Sequence, residues 1–140
     1  MTIQTWLTQL QENGYRLTNA RKAVVDVMVN TESALNPFEV YEQAKPIYSG
    51  IGLVTVYRTL EMLEELALIQ RIHQPDGCNA YLPHVDGHQH LIICVECGKA
   101  EYFEGREDMD VFFDRVAGEH GYTISDHWLQ LFGTCSECEH

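Results

Sequence analysis

Two C-x-x-C pairs constrain this chain more than any other feature of its sequence. They are Cys94-Val95-Glu96-Cys97 and Cys135-Ser136-Glu137-Cys138, and 37 residues separate them. Each pair can present two thiolates to one ion from a tight turn, and Gly98 relieves the backbone after the first pair. Two such turns complete the closed Cys₄ arrangement of structural zinc, which predicts that a zinc ion ties down the C-terminal strand.

Other uses of the cysteines are weaker interpretations. A single C-x-x-C pair could be a redox motif, but two pairs with a glycine after one of them argue against it. Four unrelated buried cysteines are the other alternative. Cys78 lies outside the pattern and is either a small core residue or an additional ligand.

The start of the chain, Met1-Thr2-Ile3-Gln4, lacks the basic and apolar stretches of a signal peptide. The sequence also has no run of 18 apolar residues. We therefore expect a cytoplasmic protein without a membrane partner. In that compartment, cysteines serve as metal ligands or free thiols more often than as disulfides.

The net charge of −12 is unusual for a protein that binds nucleic acid, but the charge is unevenly distributed. Residues 1–80 hold six Lys and Arg against nine Asp and Glu, whereas residues 81–140 hold three against twelve. Between Gly14 and Val25 there are three basic residues and no acid. The first half can therefore present a local basic face, while the acidic second half is not expected to touch phosphates.

The first half has helical periodicity. One short helix ends at Gly14, and Thr18 or Asn19 can cap a second helix. Asn36-Pro37-Phe38-Glu39 combines a capping Asn, a Pro at the first helical position and a capping-box Glu, which predicts a third helix. A fourth is predicted over residues 55–66, with Thr55, Arg58 and Thr59 on a face away from the core. The residues expected to face inward are Ile3, Leu7, Leu10, Ala20, Val24, Met28, Phe38, Tyr41, Ala44, Val56, Leu60 and Leu63.

After Leu66 the period of the sequence changes from helical to alternating. Residues 68–73 alternate as a strand does, Pro75-Asp76-Gly77 is a turn, and residues 79–82 can return as the second strand of a hairpin. Helices followed by a two-stranded hairpin predict a winged helix-turn-helix. Its recognition helix would be the fourth helix.

The second half is richer in strands. Residues 88–95 and 122–132 have β-like composition, and residues 107–120 form a plausible helix between them. Residues 84–87 are the best candidate linker. The sequence therefore predicts an α+β protein with a winged-helix domain at 1–83, a hinge at 84–87 and a small α/β metal-binding domain at 88–140.

Histidines provide a second chemical signal in this half. His88 and His90 lie two residues apart on a predicted strand, and His127 lies on a later one. Three such side chains can converge on a metal, and Asp110 or Glu107 could add an oxygen ligand. A single histidine is more often an ordinary hydrogen-bonded residue, but four of the seven histidines fall within residues 73–90, which favours coordination.

Four segments resemble motifs of the ferric uptake regulator family, in the family's own order. Gly14-Tyr15-Arg16-Leu17-Thr18-Asn19-Ala20-Arg21 resembles the signature G-x-R-x-T-x-x-R, and Thr55-Val56-Tyr57-Arg58-Thr59-Leu60 resembles the recognition-helix motif T-V-Y-R-x-L. His88-Gln89-His90 followed by Cys94-x-x-Cys97-Gly98-Lys99 resembles the metal region. His127-Trp128-Leu129-Gln130-Leu131-Phe132-Gly133-x-Cys135-x-x-Cys138 resembles the C-terminal end.

The resemblance implies a homodimer that binds double-stranded operator DNA when a divalent metal occupies a regulatory site, with the second half as the dimerisation domain. Arg16 would approach the minor groove, and Tyr57 and Arg58, in the helix that Thr55 begins, would approach base edges in the major groove. The four cysteines would hold the structural zinc. We expect a transcriptional repressor with no organic cofactor.

The chain departs from the family pattern where many members carry regulatory ligands. Leu91, Ala34 and Leu82 stand at positions that are often His, His and an acid. The remaining ligands of one family site are His88, His90 and His127, with Asp110 as the expected fourth partner.

A second candidate sensor lies around the hairpin and hinge. It comprises His73, Cys78 and His84, with Glu101 as an acid from the second half. His73 and His84 stand where some zinc uptake regulators have ligands, and a thiol with imidazoles suits Zn²⁺ better than Fe²⁺. We therefore favour zinc as the sensed metal.

Two other functions stay open at this stage. An iron- or peroxide-sensing repressor of the same family, using Fe²⁺ or Mn²⁺, is the main alternative. A zinc-dependent enzyme is the remote one. An enzyme would need an open coordination position with a general base, and the sequence has no H-E-x-x-H motif.

Overall fold

A computed structural model describes residues 2–74, 79–85, 89–104 and 109–139 of the chain. The first half contains helices α1 (Ile3–Glu12), α2 (Asn19–Asn30), α3 (Pro37–Ala44) and α4 (Leu53–Glu65), then strands β1 (Ile69–His73) and β2 (Asn79–Pro83). The second half contains β3 (Gln89–Cys94), β4 (Ala100–Glu104), α5 (Asp110–His120) and β5 (Gln130–Gly133). This is the predicted α+β order, with a winged helix before a smaller domain.

Local sequence explains where the early helices begin. The Thr18 hydroxyl accepts a hydrogen bond from the Arg21 amide, so Thr18 caps α2. At α3 the Asn36 side chain accepts from the Glu39 amide, and the Glu39 carboxylate accepts from the Asn36 amide. The predicted capping box is therefore confirmed.

The main core lies between the helices of the first half. Its largest fully buried side chains include Trp6, Leu10, Met28, Leu60 and Leu63. The buried stripe of α4, which includes Val56, Leu60 and Leu63, fixes how this helix sits on the core, and so which of its faces is left outside.

Two predictions about core-facing residues are wrong. Phe38 is 56% exposed, because α3 buries Pro37, Val40 and Ala44 instead. The Phe38 ring contacts the ring of Tyr41. Thr59 is fully buried, although it was assigned to an outer face. Its hydroxyl donates to the Thr55 carbonyl over 2.7 Å, and this local bond removes the penalty for burying it.

The hairpin forms as predicted over its described strands. β1 and β2 are antiparallel, with Ile69 opposite Pro83 and His73 opposite Asn79. The alternation is imperfect, since Leu68 and Ile69 are both buried where the chain leaves α4. The predicted turn at 75–77 lies outside the described residues.

The second sheet has the order β4-β3-β5, with β3 in the centre. β4 runs antiparallel to β3, and β5 runs parallel to it. The prediction of a strand over 122–132 is wrong for its first part, because only Gln130–Gly133 lies alongside β3 and can complete a ladder. The predicted helix is confirmed as α5 from Asp110, and residues 107 and 108 are outside the described part.

The two halves are in direct contact. A second buried apolar cluster combines Ala34, Ile72, Ala80 and Leu82 of the first half with Leu91 and Ile93 of β3. Of the predicted hinge, His84 and Val85 are described and follow β2 directly. In the described part of the chain, no helix has the length and apolarity needed to cross a membrane.

Candidate metal centre and DNA-reading helix

The first C-x-x-C pair lies at the end of the central strand. Cys94 closes β3, and the chain then turns so that the Gly98 amide donates to the Cys94 carbonyl over 3.0 Å. The Cys94 amide in turn donates to the Lys99 carbonyl over 2.8 Å. Gly98 has a φ of +78°, a conformation that side chains of other residues disfavour. The glycine after the pair thus has the role that the sequence predicted.

The second pair follows β5 and forms a similar turn. The amides of Cys138 and Glu139 both donate to the Cys135 carbonyl over 3.0 Å. Two contacts join this turn to the first one. The Cys135 amide donates to the Cys94 sulfur over 3.4 Å, and the Val95 amide donates to the Gly133 carbonyl over 2.8 Å. Parallel pairing of β3 and β5 therefore brings the two motifs together.

The four sulfurs fit a tetrahedral metal site. All four Sγ atoms lie within 4.8 Å of one another, and the Cys97 and Cys135 sulfurs are 3.8 Å apart. A zinc ion with Zn–S bonds of about 2.3 Å requires sulfurs about 3.8 Å apart in a regular tetrahedron. The four thiols are free, not paired in disulfides. Four thiolates leave no open position, as in structural sites.

The protonation of the thiols is uneven. The Cys135 and Cys97 amides donate to the Cys94 sulfur and lower the pKa of this thiol to about 6. The Cys94 sulfur is thus ionised at neutral pH, in the form that binds metal, and protonation below about pH 6 opposes binding. The hydrogen bond with the Cys135 thiol instead raises the pKa of Cys138, because crowded sulfurs disfavour further charge. A bound cation would offset the repulsion between the ionised sulfurs.

A histidine pair lies elsewhere in the same domain. His90 on β3 is buried, and its Nε2 atom is 3.4 Å from Nε2 of His127. The His127 ring also contacts the Phe113 ring of α5, with centroids 4.4 Å apart. His127 lies before β5 in irregular chain, not on the strand that the sequence predicted.

The other predicted ligands of this site do not lie as close to the two histidines. Asp110, at the first position of α5, lines the same groove as His127. In the described part of the chain, the four cysteines are the only group of three or more potential ligands whose atoms all lie within 4.8 Å. Asp110 is therefore not within that distance of both histidines. His88 lies outside the described residues.

The candidate hinge site is not assembled as one cluster. His73 pairs with Asn79 at the far end of the hairpin, whereas His84 follows Pro83 and its amide donates to Leu68 at the near end. Five residues of strand between those ends span about 17 Å. The structure thus does not bring His73 and His84 to one ion. Glu101 lies near the base of the hairpin and is ion-paired with Lys99 at 3.5 Å, and Cys78 is outside the described residues.

The outer face of α4 is available to a partner. Tyr57 is 50% exposed, and Arg58 is also exposed, as the recognition-helix prediction requires. Thr55 is half-buried and accepts the Thr59 hydroxyl through its carbonyl. Arg16 is exposed, and its carbonyl accepts from the Arg21 guanidinium over 2.6 Å, which fixes the backbone of the basic segment.

Sequence reasoning missed Val54, which is 63% exposed near the start of α4. It precedes Tyr57 by three residues and Arg58 by four, so all three lie on one helical face. The helical spacing alone could have found it. An exposed apolar group there is of the type that contacts a thymine methyl.

The sequence model of the ferric uptake regulator family matches residues 12–132. The chain belongs to this family. Family members are metal-responsive transcriptional regulators that bind DNA as dimers, and they are not enzymes. The family resemblance expected from the four sequence motifs is therefore confirmed.

Relatives within the family differ in the metal for which they are named. The chain is 37% identical to the ferric uptake regulation protein of Bacillus subtilis, covering 93% of this chain and 89% of the relative. It is 34% identical to the ferric uptake regulation protein of Neisseria meningitidis, covering 95% and 92%. It is 29% identical to the zinc uptake regulation protein of Mycobacterium tuberculosis, covering 89% and 95%.

Solved structures have the same fold. The Helicobacter pylori ferric uptake regulator matches with a TM-score of 0.75 at 23% identity, covering 99% of this chain and 94% of that one. A zinc-bound manganese uptake regulator matches with a TM-score of 0.74 at 26% identity, covering 96% and 99%. The family is thus clear, while the regulatory metal differs among its members.

Proposed function

We propose that this chain is a zinc-responsive transcriptional repressor that binds operator DNA as a homodimer when its regulatory site is occupied. The observation that carries the proposal is that α4 has an exposed outer face in a chain whose four thiols also lie close enough together to bind one ion. The exposed face of α4 supplies a surface for the major groove. The four thiols, with zinc bound, would supply a rigid support for the winged helix that presents this face.

DNA binding through α4 is supported by the chemistry of its outer face. Arg58 can donate two hydrogen bonds to guanine, while Tyr57 and Val54 offer apolar surface to thymine. The exposed basic segment around Arg16 can contact the phosphate backbone. Most of the net negative charge lies in residues 81–140 and not in the half that contains α4.

Homodimerisation through the second half is supported by its exposed apolar side chains. Val111, Phe112, Tyr122 and Trp128 are each more than half exposed, and none of the described residues of α5 is buried. A concentration of exposed large apolar side chains is typical of a protein interface. A second copy of the chain is the partner that a two-fold operator requires.

Zinc as the sensed metal is supported by donor chemistry. His90 and His127 already have nitrogen atoms 3.4 Å apart, and imidazole ligands suit Zn²⁺ well. We assign the regulatory role to this pair with His88 and Asp110, in preference to the hinge set, whose histidines lie at opposite ends of the hairpin. The four thiols would hold a separate structural zinc.

Iron sensing is the second candidate function. Relatives at 34–37% identity are named as ferric uptake regulation proteins, and a carboxylate such as Asp110 beside histidines suits Fe²⁺. The decisive experiment loads the Cys₄ site first. It then titrates Zn²⁺, Fe²⁺ and Mn²⁺ under reducing conditions against an operator selected from random duplexes. Zinc activation at the lowest free metal concentration supports the proposal, and activation by Fe²⁺ alone contradicts it.

His127→Ala tests the regulatory site. We expect it to weaken the metal response of operator binding and the stability of the dimer, because it removes one of two adjacent nitrogen donors. The control is His120→Ala, which removes an exposed histidine at the end of α5. The measurements are dimer dissociation and operator affinity at fixed free zinc. A normal metal response in His127→Ala, together with a lost response in His73→Ala or His84→Ala, would mean that the regulatory metal binds at the hinge.

Arg16→Ala tests the phosphate contact. We expect weaker binding to all duplexes alike, and a plot of log K against log salt whose slope falls by about one, since one ionic contact is lost. Arg115→Ala removes an exposed charge from α5 and is the matched control. An unchanged salt slope in Arg16→Ala would show that this side chain does not reach the backbone.

A further inference from the structure

The loop that carries the first cysteine pair also contacts the winged-helix half. The Ala34 amide, in the segment between α2 and α3, donates to the Gly98 carbonyl over 2.8 Å. The neighbouring Ser33 forms an isolated antiparallel bridge with Lys99. Backbone groups of the two halves therefore pair directly beside the Cys₄ cluster.

A second contact joins the halves in the same region. The Tyr102 hydroxyl of β4 donates to the Pro83 carbonyl at the end of β2 over 2.7 Å. Tyr102 also packs against the buried cluster that contains Leu82 and Leu91. Burial raises the pKa of Tyr102 to about 12, so the hydroxyl stays protonated and able to donate. We call these contacts, Ser33–Lys99, Ala34–Gly98 and Tyr102–Pro83, the domain seam.

We propose that the domain seam sets the orientation of the winged helix for DNA, with Gly98 and Tyr102 as its positioning residues. This inference rests on the proposed function as a DNA-binding dimer. The cysteine turn then has two tasks: it binds metal through its sulfurs, and it presents the Gly98 carbonyl to the other half. The alternative, a single ion that bridges His73 and His84, needs residues that lie at opposite ends of the hairpin.

A fixed orientation matters because a dimer must match two half-sites at once. Each winged helix reads one half-site, and the spacing of the two recognition helices is a geometric requirement. If the seam opens, the DNA-competent orientation becomes only one among several, and the apparent affinity is reduced in proportion to the fraction of molecules that retain it. Loss of a seam contact is therefore expected to lower operator affinity, although the contact touches neither DNA nor metal.

Gly98→Ala is the most direct test. A Cβ atom at this position would meet the Ala34 carbonyl oxygen at 3.1 Å, and the φ of +78° adds strain. The matched control is Gly121→Ala, which has similar strain at a φ of +73° but meets nothing within 4 Å. Four quantities are measured in each variant: zinc per chain, dimer mass, hydrogen exchange of the Ala34 amide, and operator affinity at saturating regulatory metal.

We expect Gly98→Ala to keep its dimer, to exchange the Ala34 amide faster and to bind operator roughly tenfold more weakly. Gly121→Ala should keep both the slow exchange and the wild-type affinity. If Gly98→Ala exchanges faster at Ala34 and yet binds operator as wild type does, the seam has no positioning role and the inference is overturned.

Tyr102→Phe keeps the test decisive if Gly98→Ala loses zinc. This variant removes one hydrogen bond to Pro83 without changing a cysteine or its turn, and should weaken operator binding about two- to tenfold with zinc and dimer intact. Wild-type affinity in Tyr102→Phe, measured with zinc still bound, overturns the inference. If the wild-type protein binds no operator with any metal, the proposed function itself fails. If wild-type binding depends on metal and neither variant weakens it, only the inference about the seam is overturned, and the proposed function stands.

Discussion

Replacing Cys135 by serine should release the structural zinc and unfold much of the second half. Cys135 joins the two metal-binding turns through its sulfur, 3.8 Å from Cys97, and through its amide, which donates to Cys94. The apparent binding free energy of structural zinc is about 10–16 kcal/mol in small zinc-finger peptides, which is as large as the whole stability of a typical domain, about 5–15 kcal/mol. We expect less than one zinc per chain in this site and a melting temperature far below that of the wild type.

The control for this variant is Ser136→Ala, which changes the next residue, an exposed non-ligand. It should keep full zinc content and a melting temperature close to wild type. Zinc content is measured by release to a chromophoric chelator after denaturation, and stability by calorimetry. A Cys135→Ser protein with full zinc stoichiometry and unchanged melting would mean that the four sulfurs do not hold the metal.

Arg58→Ala should weaken operator binding by about 1–3 kcal/mol and relax base preference at one position of each half-site. Arg58 and Tyr57 are both exposed on α4, whereas the preceding Val56 is buried against the core. The measurement is affinity for the operator and for duplexes with single base changes. Wild-type affinity in Arg58→Ala would mean that another element reads the bases.

Arg58→Lys separates base reading from simple charge attraction. Lysine keeps the positive charge but cannot reproduce the planar fork that bonds guanine twice. If Arg58 reads a base, the lysine variant should lose discrimination while it keeps much of the salt-dependent binding. If it only attracts phosphate, lysine should restore binding fully.

Features with local causes were predictable from the sequence. The capping box at Asn36 and the stripe of α4 depend on residues three or four positions apart, and both appear as predicted. The cysteine cluster was also predictable, although it joins distant segments, because the ligand chemistry of zinc restricts which residues can meet.

Features that depend on tertiary pairing were not predictable. β4, which begins at Ala100, was missed because its residues form a strand only by pairing with β3. The strand assigned to residues 122–132 shortened to β5 because Gln130 is the first residue alongside β3. The hinge ligand set assumed that His73 and His84 are neighbours, and only the hairpin register reveals their separation.

The parallel pairing of β3 with β5 has a consequence for the order in which the parts of this protein fold during synthesis. The four helices of the first half contact elements close to them in sequence and can begin to pack while later residues are still being synthesised, whereas the cluster around Ile72 and Leu82 needs Leu91 and Ile93 of β3. The metal centre cannot form this early, because its second cysteine pair emerges 37 residues after the first. Until then Cys94 and Cys97 offer only half of a site, and the exposed edge of β3 has no β5 partner. Zinc can therefore close the site only after the second pair has been synthesised, and the supply of zinc at that stage should limit how much of the second half reaches its folded form.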